Sequence, residues 1–130
     1  MLTPLLAAAL VLQEAPAYPE PVPPKQGADA IDDLPIEQAA AVRCAIAYAT
    51  VSRWQKAGDT RGSAYPDAEA QGGREFFVQV MAKLMDAGVT RESIVMMTTE
   101  AAARNDTPEG AERIAQMMPV CELMKSAAGL

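Results

Sequence analysis

The sequence predicts an all-α protein, a small bundle of about four helices with its last helix kinked at a proline and one disulfide stapling the fold. Three observations carry this expectation. Half of the 130 residues are apolar but only 5% are aromatic, so good helix formers dominate and strong strand formers are scarce. Apolar residues recur at steps of three and four in four separate stretches. The two cysteines fall on the apolar faces of the first and last of these. A chain of this length sits near the commonest size for one domain, so a single core is expected.

The chain opens with "MLTPLLAAALVLQEAPA", residues 1–17, in which an apolar run from Leu5 to Leu12 precedes the small residues Ala15, Pro16 and Ala17. This is the pattern of a secretory signal peptide, with cleavage expected after Ala17. The run is too short to span a bilayer as a helix. No Lys or Arg precedes it, which departs from the pattern, and no cysteine follows it to accept a lipid. Residues 18–34 read as a proline-rich disordered linker. The stretch "PAYPEPVPP" holds five prolines in nine residues, which fix φ and remove backbone donors. The helical domain is expected over residues 35–130.

The first helix is expected from Ile36 to about Ala57, with Ala40, Cys44, Ala47, Tyr48, Val51 and Trp54 on its inward face. Pro35 suits its first turn and Gly58 its stop. Residues 58–73, "GDTRGSAYPDAEAQGG", form a long turn-rich loop, with a short helical turn expected after Pro66 near Asp67. The next stretch, "REFFVQVMAKLMDAG", turns Phe77, Val80, Met81 and Leu84 inward and ends at Gly88. Thr90 then caps a third helix that buries Ile94, Met97 and Ala101 and stops near Asn105. Thr107, Pro108 and Glu109 start the fourth, being a capping hydroxyl, a proline at the first helical position and an acid at the positive end of the dipole.

Pro119 lies inside this last helix, within "QMMPVCEL". The stripe Ile114, Met118, Cys121 and Lys125 or Met124 keeps its phase across the proline, so one kinked helix is expected in place of two. Its penalty of roughly 3 kcal/mol must be offset by burial of that stripe. Cys44 and Cys121 are expected to pair, because both lie on apolar faces of a chain that reads as exported. Closing so long a loop is worth roughly 4 to 5 kcal/mol in the chain-entropy account.

Charge and composition narrow the function classes. A net charge of −6 leaves no basic patch for nucleic acid or an anionic membrane surface. The absence of histidine removes Ser/His and Cys/His nucleophile pairs and imidazole metal sites. The paired acids, Asp32 with Asp33, Asp67 with Glu69, and Glu109 with Glu112, read as solvated surface or helix-start charges and not as a catalytic dyad. An enzyme is therefore not expected, nor is a bound cofactor or metal. Methionines suit Cu(I), but Met96 with Met97 and Met117 with Met118 point about 100° apart on a helix, and flexible core filling explains them. The sequence names no ligand. The reading it favours is a non-catalytic periplasmic or secreted interaction module, monomeric or weakly oligomeric, with the 58–73 loop and a spot built from Arg53, Trp54 and Tyr65 as its partner contact. The alternative is a soft-metal or redox role for the Met and Cys residues.

Overall fold

A computed structural model describes residues 30–130; the expected signal peptide and most of the expected linker lie outside the described residues. It is all-helical among those residues, with four α-helices: α1, Ile36–Lys56; α2, Gly73–Asp86; α3, Arg91–Asn105; and α4, Pro108–Ala127. Two short 3-10 turns, Ile31–Asp33 and Thr60–Ala64, complete it.

The helix ends follow the side-chain signals. Pro35 is extended at the entry to α1, and Gly58 closes the exit with φ +69°, a conformation that a side-chain-bearing residue resists. The Thr90 hydroxyl accepts the Ser93 N–H at the start of α3, and the Thr107 hydroxyl accepts the Gly110 N–H at the start of α4 with Pro108 next to it.

The chief departure concerns α1. The expected stripe is only part of what it buries: Val42, Ala45 and Ile46 are buried as well, and Cys44 through Tyr48 are five consecutive buried residues, while Ala40 is only half-buried. The helix is the central post of the fold, touching α2, α3, α4 and both 3-10 turns. Over the turn from Cys44 to Tyr48 it is covered on all sides and shows no one-sided periodicity, although Arg43, Ala49 and Arg53 remain exposed. On α2 the inward aromatic is Phe76, 2% exposed, and not Phe77, which is half-buried; Phe76 meets the Tyr48 ring edge-on at 5.8 Å. On α3, Met97 is buried with Ser93, whereas Ile94 and Ala101 pack at the core margin.

Helix α4 runs unbroken through Pro119. Ile114, Met118, Cys121 and Lys125 are its buried stripe, with Met124 half-buried beside them. Pro119 and Ala115 are both exposed, so the helical hydrogen bond that the proline deletes lies on the solvent side of α4, where its loss costs least. Cys44 and Cys121 form a disulfide with Cα atoms 5.3 Å apart, joining α1 to α4. Chain that was expected to be linker also enters the body: Leu34 is 6% exposed, Ile31 packs on the core, and Asp32 pairs with Arg43 of α1 at 2.5 Å. No helix among the described residues is long and apolar enough to cross a membrane.

Candidate functional site

The 58–73 loop is organised by one side chain of α1. The Gln55 carboxamide donates from Nε2 to the carbonyls of Gly62 at 3.1 Å, Tyr65 at 3.2 Å and Pro66 at 2.9 Å, and its Oε1 accepts the Ala68 N–H at 2.9 Å. An amide with two hydrogens thus serves three carbonyls by sharing. The loop backbone lies directly on the helix, because a Cβ at Gly62 would stand 2.8 Å from both Cγ and the backbone N of Gln55. Asp67 caps the expected short turn by accepting the Ala70 N–H at 2.9 Å, and Lys56 pairs with Glu69 at 2.6 Å.

The far end of the loop is held by α4. Lys125 is 3% exposed; its ammonium donates to the Gln71 carbonyl, lies 5.3 Å from the Tyr48 ring centroid and is 3.4 Å from Glu122 Oε2. The Tyr48 hydroxyl donates to the other oxygen, Glu122 Oε1, at 2.7 Å. Burial, then the hydrogen bond and negative charge of Glu122, raise the Tyr48 phenol well above its ordinary value of 10.0.

Between this loop and α4 lies a cleft of about 300 Å³. Tyr48, Val51 and Met118 form its base, Tyr65 and Pro66 one lip, and Pro119 the other, with Glu122 at the edge. It is an apolar slot whose one carboxylate is already engaged by Tyr48 and Lys125, so it can take an apolar side chain.

The predicted contact residues separate. Trp54 is 3% exposed and lies beneath the Arg61 guanidinium, 4.5 Å from its ring centroid. Its indole N–H donates to Asp106 Oδ1 at 3.3 Å, across the core edge to the α3–α4 turn. Arg53 approaches the same carboxylate at 3.7 Å and lines a different cleft, with Lys56, Arg74 and Phe77. Tyr65 alone of the three lines the slot beside α4. Arg61 joins the Asp106 cluster at 3.1 Å and also holds Asp59 at 2.6 Å. The Arg61 side chain, then its backbone N–H, lower the Asp59 carboxyl to about 2. Asp106 is lowered by the Trp54 N–H first and by the charges of Arg53 and Arg61.

Sequence reasoning missed Gln55, Met118 and Pro119 as parts of one site. Only the glutamine near a helix end, beside a long loop, could have signalled the first.

The remaining chemistry-bearing residues are spread. Both sulfurs of Cys44 and Cys121 are consumed in the disulfide, Met81, Met97 and Met118 are buried, and Met85 and Met96 are exposed. Among the described residues no three or more Cys, Asp or Glu side chains converge as a metal site. Glu109 and Glu112 are exposed on the first turns of α4. Comparison of the chain with family models, with characterised proteins and with solved structures finds no match to any of them.

Proposed function

We propose that this is an exported, non-catalytic helical module that holds a protein partner by clasping one of its apolar side chains in the slot between the 58–73 loop and α4. The observation that carries the reading is the preorganisation of that slot. A loop of this length normally loses much conformational freedom on binding, yet here Gln55, Lys56 and Lys125 already fix it before a partner arrives. Glu122 is already engaged by the Tyr48 hydroxyl and the Lys125 ammonium, so the slot selects its occupant by apolar fit. Export is supported by the Cys44–Cys121 disulfide, which persists in oxidising compartments, and by the leader sequence.

The test is photo-crosslinking in cells, with a benzophenone amino acid placed at Pro66 on the lip of the slot or at Val78 on the exposed face of α2. Pro66 should give a discrete adduct that Val78 does not, and Ala115→Arg, which fills the slot from its exposed side, should abolish it. No adduct from Pro66, or the same adducts from both positions, would refute the reading. Mass spectrometry of the mature chain should find Tyr18 at its start.

A further inference from the structure

A second cleft, about 270 Å³, opens where α1, α3 and α4 meet the first 3-10 turn, away from the Tyr65 slot. Its floor is apolar: Ile46 and Met97 are each 2% exposed, and Met117 lies half-buried beside them. Its rim carries three guanidinium groups, Arg43, Arg104 and Arg113, against two carboxylates, Asp32 and Glu100. Arg43 pairs with Asp32 and Arg104 with Glu100, each at 2.5 Å. Arg113 reaches the Arg104 carbonyl at 3.4 Å and pairs with no carboxylate among the described residues. In a chain of net charge −6, the mouth of this cleft is a local reversal of sign over an apolar base.

We propose that this cleft binds a small amphipathic monoanion, an aliphatic carboxylate whose chain lies on Ile46, Met97 and Met117 and whose head pairs with Arg113. The inference goes beyond the protein-partner reading and uses a different part of the surface. A planar guanidinium fork matches a carboxylate with two parallel hydrogen bonds. One surplus positive charge suits a monoanion, because Asp32 and Glu100 already neutralise the other two arginines. The volume, just below the usual range for small-molecule pockets, suits a chain of about eight carbons and excludes a drug-sized ligand. The rim is solvent-exposed and screened, so the apolar base supplies most of the affinity and the charge supplies selectivity.

Octanoate is the probe, titrated into the isotope-labelled full chain and followed by NMR and calorimetry, with octanol and acetate as controls. Octanoate should bind saturably with Kd below about 1 mM, shifting the resonances of Met97, Met117 and Arg113. Octanol, lacking the charge, and acetate, lacking the chain, should each bind at least about tenfold more weakly. Arg113→Gln, on an exposed side chain, should weaken octanoate at least about threefold with an unchanged melting temperature. The absence of saturable shifts, equal binding of octanol, or indifference to Arg113→Gln would each overturn the proposal. None of these outcomes bears on crosslinking at Pro66, so the two proposals fail separately.

Discussion

Removing the Cys44–Cys121 bridge should cost this fold much of its stability. The two residues are 77 apart in sequence, so the bond closes a large ring and deletes many open conformations of the unfolded chain. The chain-entropy relation gives about 4.5 kcal/mol for a ring of this size. Cys121 is fully buried and Cys44 is 4% exposed, so replacing both by alanine also empties the space of two sulfurs, worth about 1 kcal/mol more. For a body of roughly 100 residues, each kcal/mol moves the melting temperature by at least about 4 °C, so a loss of roughly 20 °C is expected. The assay is thermal and urea unfolding of the oxidised protein, the reduced protein and the Cys44→Ala/Cys121→Ala variant. The reduced form keeps its sulfur volume, so it isolates the ring-closure contribution from the packing one. A melting temperature lowered by less than about 5 °C, or one urea midpoint shared by oxidised and reduced protein, would refute the reasoning.

Gln55→Glu should destabilise by about 1 to 3 kcal/mol in urea unfolding, because it sets a carboxylate against the carbonyls of Gly62, Tyr65 and Pro66 while keeping the acceptor for Ala68; faster proteolysis within residues 58–73 should accompany it. Acid should weaken the fold through Asp59 and Asp106. Both carboxyls are depressed in the folded state, so their contribution is present above their ordinary value of 3.8 and is lost as pH falls through the folded values, toward about 2 for Asp59. Urea midpoints at pH 6, 4 and 3 should fall, and less steeply in Asp59→Asn/Asp106→Asn. Alkali should act through Tyr48: its phenol is raised, so its contribution is complete below pH 10 and is lost as pH rises toward the folded value. Absorbance titration should therefore show Tyr48 ionising together with unfolding, and ahead of it in Glu122→Gln.

Most of the helical frame was legible because its signals are local. Thr90 and Thr107 act on amide groups three residues away, Gly58 on its own φ, and the proline at 108 on the first turn, so a short window contains both partners of each interaction. Cys44 and Cys121 could be matched across the chain because each is the other's sole candidate. Phase failed where neighbours were chemically alike: choosing between Phe76 and Phe77 is a rotation of 100°, and no pattern of steps separates two adjacent phenylalanines. The surroundings of α1 were hidden for another reason. Alanine is too small and too common to mark a face, and a run such as Cys44 to Tyr48 looks the same whether one side is covered or all of them. The slot was least legible, since Tyr65, Met118 and Pro119 come from distant segments and are brought together by a loop that Gln55 holds in place. Trp54 was expected on the inward face of α1, and it is buried there. Its partner, Asp106, is 52 residues away, and such polar pairs leave no spacing to read.

The order of synthesis gives the central position of α1 a further meaning. The ribosome makes the post of the building before the walls α2, α3 and α4, and the post's middle turn, Cys44 to Tyr48, is apolar on every side, so that turn stays uncovered until the later helices arrive. The last of these walls, α4, brings Cys121, 77 residues after Cys44, and only then can the covalent clasp form. A polypeptide made in this order cannot be clasped until α4 has followed the other three helices, so the bond locks a set of helices that are all already present.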